Sequence, residues 1–419
     1  MKVTVVGGAS TYPPELVDGI ARLRDVIDVE ELVLADPAVD RLEVVAGMAR
    51  RMLARADHPA RVVATSDTAV GVTDADVVLL QLRVGGQAAR IRDETWPLHC
   101  GCVGQETTGA GGLAKALRTV PVVLDVAEQV RRLAAPDAWI VNFTNPVGIV
   151  TRALLQSGHR AVGLCNVAIG FERFFAELLG VGPEEVALDH VGLNHLTWER
   201  RVVVDGADRL PQLLEAHGTA IADDVEIPEV LLRRLGVVPS YYLRYFYAHD
   251  ETVAQQVGRP TRGEQVADIE RALLRMYADP TVDTKPELLG SRGGAFYSEA
   301  AIRLVASLTG DRGDVQVVNV RNDGRLAFLP DDAVIEVPAT VGVKGAVACE
   351  VQPLDPLYAG LVAHTFAYEQ LALEAAVHGG RERVAAALLA HPLVGQFETA
   401  EKLTDLLMAA NAEHLAWAR

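Results

Sequence analysis

Over its first 165 residues the chain alternates short unbroken runs of Val, Leu and Ile with longer stretches of helical apolar spacing. Strands read at 2–6, 31–35, 61–65, 76–81, 138–142 and 161–164, and helices at 13–24, 38–55, 118–134 and 146–157. A strand that is apolar at every position suits burial on both faces, as in a parallel sheet flanked by helices. The alternation therefore predicts a doubly wound α/β sheet of the Rossmann-like kind. A chain of 419 residues exceeds what one simple core holds. A nucleotide-binding unit is expected over 1–166 and a second, α+β domain over 167–419. In the second, helices read at 262–278, 295–307 and from 356 onward, with short strands near 186–191, 197–204, 315–320 and 334–337.

The formal net charge is −17. That excludes a nucleic-acid partner, since the phosphate backbone is held by clustered Lys and Arg. An anionic substrate would need a local basic pocket working against the overall field. The four cysteines, Cys100, Cys102, Cys165 and Cys349, are too few for a disulfide framework and read as reduced thiols. No apolar run approaches the length of a membrane span, and no signal peptide is visible, so no membrane partner and a cytoplasmic location are expected. Apolar helices near the C-terminus suggest a homodimer or homotetramer, although the core of a monomer reads the same way.

The first strand runs into Gly7-Gly8-Ala9-Ser10, and Pro13-Pro14 opens the next helix. Glycines at such a turn let the backbone approach a pyrophosphate at a helix N-terminus. The usual G-x-G-x-x-G spacing is absent. Asp36 ends the second strand, where a carboxylate accepts from adenosine ribose hydroxyls and repels a 2′-phosphate, favouring NAD over NADP; alternatively it caps the next helix. The stretch from Gln81 to Arg118 reads as one long Gly- and Arg-rich loop at the carboxyl edge of the sheet, containing Arg83 and Arg90. Polar residues end further strands at Asn142-Phe143-Thr144-Asn145-Pro146, Leu164-Cys165-Asn166 and Gly192-Leu193-Asn194-His195. Tyr241 and Tyr242 lie in a Tyr-rich segment, and Arg262 and Arg292 stand beside glycines. These are as consistent with core tyrosines and surface arginines as with a base beside a cation and bidentate phosphate binders.

Taken in order, Gly7-Gly8-Ala9-Ser10 with Pro14-Glu15-Leu16, Arg83 with Gly85-Gly86, Gly104-Gln105-Glu106-Thr107, Asn142 to Pro146, Leu164-Cys165-Asn166, Gly192 to His195 and Tyr242-Leu243-Arg244-Tyr245 carry a resemblance to a known family. The chain resembles glycoside hydrolase family 4, the NAD- and metal-dependent glycosidases, over nearly its whole length. The resemblance implies a lactate/malate dehydrogenase-like Rossmann unit followed by the C-terminal domain of that family. It implies NAD on Gly7, Gly8, Ser10, Asp36, Arg83 and Asn142, and a divalent metal, usually manganese, on Cys165 and His195. It makes Tyr242 the base, with Tyr241 kept open as a one-residue slip. Asn145, Asn166 and Asn194 would bind the sugar or its metal-bound hydroxyls, and Arg90, Arg262 and Arg292 its phosphate. Some members carry Asp after the metal cysteine; Asn166 at that position looks like the 6-phospho-β-glucosidase branch and leaves the leaving-group acid unassigned. Ala9 stands where many relatives have glycine, which would matter if a positive φ were needed there.

The chemistry implied is hydrolysis by oxidation and elimination. Transient oxidation of the C3 hydroxyl by NAD acidifies the C2 hydrogen, the metal acts as Lewis acid, the tyrosine takes the C2 proton, the glycosidic bond eliminates and water adds. Other readings remain: a family 4 enzyme for 6-phospho-α-glucosides or unphosphorylated glycosides, an NAD-dependent 2-hydroxy acid dehydrogenase with a His195–Asp189 relay, or an NAD sensor.

Overall fold

The structure is a computed structural model describing residues 1–294 and 296–418. Its first half holds six parallel strands: β1 (Lys2–Val6), β2 (Glu31–Ala35), β3 (Arg61–Thr65), β4 (Val77–Leu80), β5 (Trp139–Asn142) and β6 (Ala161–Gly163). They lie in the order β6-β5-β4-β1-β2-β3, with helices on both faces, so the doubly wound Rossmann-like sheet is present. Period-two alternation divides the central strands β1 and β4 between two cores. Val3, Val5, Val77 and Leu79 enter one cluster, whereas Val6, Val78 and Leu80 enter the other. This explains why β4 is apolar at every position.

The second half contributes β7 (Ala187–Leu193), β8 (Leu196–Val204), β9 (Ala207–Asp208), β10 (Val238–Pro239), β11 (Asp314–Arg321), β12 (Val334–Gly342) and β13 (Gly345–Ala348). These strands join the same sheet rather than forming a separate one. The order continues from β6 through β11, β12, β7 and β8 to β10, with antiparallel pairings throughout. The helices read at 262–278 and from 356 onward are present as Arg262–Ala278, Pro356–His378, Arg381–Ala390 and Phe397–Asn411. The helix read at 295–307 runs Tyr297–Gly310; Ala295 lies outside the described residues. Thr261 and Glu264 form a reciprocal cap at the start of Arg262–Ala278, as the T-R-G-E sequence allows.

One expectation fails. The stretch 81–118, read as a loop, holds the helix Gly86–Thr95, a 3₁₀ turn at Trp96–Cys100 and the start of the helix Gly109–Leu133. Most of its charged residues are not solvated but buried in pairs, the half-exposed Arg92 excepted. Arg118 binds Asp93 at 2.5 Å with both side chains almost wholly enclosed, and Arg90 binds Glu94 one turn along at 2.8 Å. Inward-facing ion pairs break the apolar periodicity by which a helix is recognised.

Candidate active site

At the carboxyl ends of β1, β2 and β4 the chain builds a phosphate-type loop. Gly7 ends β1 with φ +95°, and a Cβ there would meet the Gln81 carbonyl oxygen at 2.7 Å, so only glycine fits. The Gly7 and Gly8 N–H groups donate to Ala35 O at 3.0 and 3.1 Å. Asp36 accepts from Ala38 N at 2.9 Å and from Ala9 N at 3.2 Å, and still lines the pocket. Both readings of Asp36, cap and ribose acceptor, are therefore compatible. Ala9 is not among the residues of positive φ, so the alanine is unstrained.

From this loop a cleft of about 870 Å³ runs along the sheet edge. Gly7, Ser10, Asp36 and Arg83 line it, as do Arg90, Asn145, Asn166, His195, Tyr241, Tyr242, Arg262 and Arg292. Gly8, Asn142, Cys165 and Asn194 lie outside its lining. Asn142, fully buried, donates to Thr151 Oγ1 at 3.1 Å and accepts from Thr144 N at 2.9 Å, which holds the turn that presents Asn145. Asn194 donates to Glu336 Oε2 at 2.8 Å.

At the far end four segments converge. Cys165 follows β6, and His195, at φ +63°, completes the two-residue turn between β7 and β8. The Cys165 thiol hydrogen-bonds the side chains of Asn194 and Tyr297. The His195 ring stacks on Tyr242 with centroids 3.6 Å apart, and its Nδ1 lies 3.0 Å from Thr107 Oγ1. Burial pulls the His195 imidazole down to about 4, so it is neutral. Burial, and then the neighbouring Glu336 carboxylate, push the Cys165 thiol up. Burial raises the Tyr242 phenol well above its ordinary value, with Cys165 adding to it. Each group is thus held uncharged. A cation reverses that for thiol and phenol and meets a free imidazole lone pair. Asn145 Oδ1 is also buried, with no hydrogen-bond partner among the described residues.

Among the described residues no three His, Cys, Asp or Glu side chains form a closed cation cage. Thiolate and imidazole alone leave coordination positions open, as a catalytic rather than structural site requires. The residues fit a divalent cation shared with substrate oxygens, and the loop at Gly7 and Asp36 fits a dinucleotide.

Around the cleft the basic residues outnumber the acidic ones, eight against five, in a chain of charge −17. Glu106 anchors three of them. It accepts from Arg83, from Arg90 at 3.1 Å and from Lys115 at 2.6 Å; despite burial, these cations hold its carboxyl well below the ordinary range. Arg292 is tied to Glu270 at 3.2 Å. Among the described residues Arg262 binds Ser291 O at 2.8 Å and Gln265 Oε1 at 3.3 Å and no carboxylate. Glu106 and Thr107 lay in a motif the sequence singled out without giving either a role. Lys115 lies in the stretch 81–118 but was not singled out there, and Tyr297 and Glu336 carried no sequence signal, because only the fold brings them here. Asp189 binds Arg200 at 2.8 Å, whereas His195 faces Thr107, so the His195–Asp189 relay of the dehydrogenase reading is not formed.

Residues 2–181 match the model of the family 4 glycosyl hydrolases, and residues 190–394 match that of the family 4 glycosyl hydrolase C-terminal domain. The chain is 34% identical to the 6-phospho-beta-glucosidase of Escherichia coli (strain K12), covering 99% of this chain and 96% of that one. It is 27% identical to the phospho-alpha-glucosidase PagL of Clostridium acetobutylicum, covering 98% and 97%. The structure of the Thermotoga maritima 6-phospho-beta glucosidase with manganese, NAD+ and glucose-6-phosphate superposes with a TM-score of 0.91 at 32% identity, covering 99% of each chain. With the sheet, the glycine loop and the Cys165–His195–Tyr242 cluster in place, the chain belongs to the family 4 glycosyl hydrolases.

Proposed function

We propose that this protein hydrolyses 6-phospho-β-glucosides, using NAD and a divalent metal, manganese by preference. The observation that carries the reading is the cluster at the end of the cleft: the His195 ring against Tyr242 at 3.6 Å, and Cys165 bonded to the neighbouring Asn194. The same cleft is lined at its other end by Gly7 and Asp36. The relatives favour the β anomer, since the 34% identical one is a 6-phospho-beta-glucosidase and the 27% identical one a phospho-alpha-glucosidase. Asn166 in place of an acid agrees with that choice.

When bound, NAD supplies a reversible hydride acceptor at C3 of the sugar, and the cation a Lewis acid for the C2 and C3 oxygens. The chain's own residues do the rest. Gly7 and Ser10 receive the dinucleotide phosphates, Asp36 the ribose, and Arg83 reaches the same space from the end of β4. Cys165 and His195 hold the cation. Tyr242 takes the C2 proton; the Arg90 guanidinium is close enough to interact with its phenolate. Thr107 fixes which nitrogen of His195 faces the pocket. Asn145 offers its unpartnered oxygen to a sugar hydroxyl. The surplus of arginine around the cleft receives the phosphate, with Arg262 the least engaged of the three candidates.

Residues 1–166 would then carry the cofactor and 167–419 the metal and sugar contacts. A cytoplasmic location and an assembly of two or four copies belong to the same reading. The cysteines are free, and no helix among the described residues is long and apolar enough to cross a membrane. Leu357, Leu389 and Phe397 are exposed on the C-terminal helices, a surface that an assembly would cover; sedimentation would test it. The functional test is release of aglycone from a chromogenic 6-phospho-β-glucoside by protein stripped of NAD and metal, then resupplied with each. Activity restored only by both together is expected; activity of the stripped protein would overturn the reading.

A further inference from the structure

The two proposed metal ligands follow strands that are not neighbours. Cys165 follows β6 and His195 follows β7, and the sheet places β11 and β12 between them. The spacing of the ligands is therefore set by residues of the intervening strands. One row of cross-strand neighbours spans the gap: Gly163 of β6 pairs with Asn319 of β11, Asn319 with Glu336 of β12, and Glu336 with Gly192 of β7. Glu336, only 1% exposed, is the junction of that row. Its Oε2 accepts from Asn319 Nδ2 at 2.8 Å and from Asn194 Nδ2 at 2.8 Å. Its Oε1 lies 3.1 Å from His190 Nε2, and the other nitrogen of that ring lies 2.5 Å from Glu199 Oε1. His190 and Glu199 are both fully enclosed.

Burying two carboxylates and an imidazole in the middle of a sheet costs stability relative to apolar residues of similar size. Fold alone does not require them. Their outlet is Asn194, which adjoins His195 and hydrogen-bonds the Cys165 thiol. Resting on the metal-site reading above, we infer that Glu336 is a positioning residue for the metal. It fixes the Asn194–His195 turn against Cys165 across the two intervening strands, and it supplies a buried negative charge behind the cation. It does not line the cleft and is not a ligand. Outer groups of this kind commonly change metal affinity by ~10- to 100-fold when altered.

The test is Mn²⁺ affinity, measured by the paramagnetic resonance of free Mn²⁺ on NAD-loaded protein without substrate. Glu336→Gln keeps the shape and removes the charge. We expect Mn²⁺ to bind at least ~tenfold more weakly, with NAD affinity unchanged and kcat largely recovered at saturating Mn²⁺. Glu336→Asp, which keeps the charge, should recover part of the affinity. A merely structural role would lower the melting temperature of Glu336→Gln and leave Mn²⁺ affinity as in the wild type, and that result would overturn the inference. If Glu336→Gln does not fold, Asn319→Ala loosens the carboxylate while keeping it. Weaker Mn²⁺ binding then supports the inference, and unchanged binding overturns it. A wild-type protein that binds no Mn²⁺ would instead remove the metal-site reading, and this inference with it.

Discussion

The rings of His195 and Tyr242 lie almost parallel, 7° apart in tilt and 3.6 Å between centroids. The stack fixes the phenol beside the imidazole without using either polar end, so each ring keeps its heteroatoms for other partners. Tyr241, edge-on to Tyr242 at 5.8 Å, faces Tyr245 and Arg244 instead. Tyr242→Phe preserves the stack and removes only the hydroxyl, the proposed proton acceptor. Its kcat should fall by about 10²- to 10⁴-fold with NAD affinity unchanged. Tyr241→Phe should lose less than about tenfold on the same comparison of general-base effects. The reverse order, read from steady-state kinetics, would move the base to Tyr241.

In the proposed reading, Cys165 contributes a thiolate that exists only when a cation offsets its burial. Cys165→Ser replaces a soft ligand with a poor one, so Mn²⁺ affinity and activity should fall together. Peroxide should inactivate the wild type, with recovery by a thiol reductant as long as oxidation stops at the sulfenic or disulfide stage. A Cys165→Ser variant that needs the same Mn²⁺ concentration for half-activation as the wild type would remove this residue from the metal site.

The three candidate arginines differ in what they already hold. Arg90 and Arg292 are paired with buried carboxylates, so truncating either removes a cation from a buried ion-pair network and damages the site whatever the substrate, even though Arg41 stays on Glu270 and Arg83 and Lys115 stay on Glu106. Arg262 binds no carboxylate among its hydrogen bonds. Arg262→Ala should therefore lower kcat/KM by about tenfold or more on a phosphorylated glucoside, the loss of one charge-assisted contact. An unphosphorylated glucoside should be hydrolysed as before. Equal losses on both would refute a phosphate role for Arg262.

Glu369 lies buried on the helix Pro356–His378, against Gly148. Burial raises its carboxyl to about 8, with Arg152 opposing. Its pKa is thus higher folded than the unfolded value of 4.5. It contributes stability fully below that value and loses it as pH rises through about 8. Glu369→Gln cannot ionise. Its melting temperature should change less between pH 5 and 9 than that of the wild type, by roughly 5 °C or more. Parallel curves for the two proteins would contradict this.

Much of the nucleotide half was legible. Strands β1, β2 and β3 were found at the positions read for them, because each is built around a short Val- or Leu-rich run that pairs with its neighbours in the parallel sheet. Gly7, Asp36 and Arg83, which the structure places along the cleft, stood out in the sequence because they sit at strand ends on the sheet's carboxyl edge. The segment 81–118 was misread because Arg90, Glu94, Asp93 and Arg118 satisfy one another inside the protein and look, in sequence, like solvated charge. Lys115, Tyr297 and Glu336 reach the site from remote segments. Above all, nothing local in the sequence shows that β11 and β12 insert between β6 and β7; that pairing joins residues more than a hundred positions apart.

The claim on which the rest depends is that the C2 hydrogen of the sugar leaves during turnover, made removable by transient oxidation at C3. It is measured most directly by hydrolysing a 6-phospho-β-glucoside in deuterium oxide with NAD and Mn²⁺, then reading C2 of the released glucose 6-phosphate by proton NMR. The account requires deuterium at C2 in the product of every turnover and no product from protein stripped of NAD. A product that keeps its original hydrogen at C2 would contradict it.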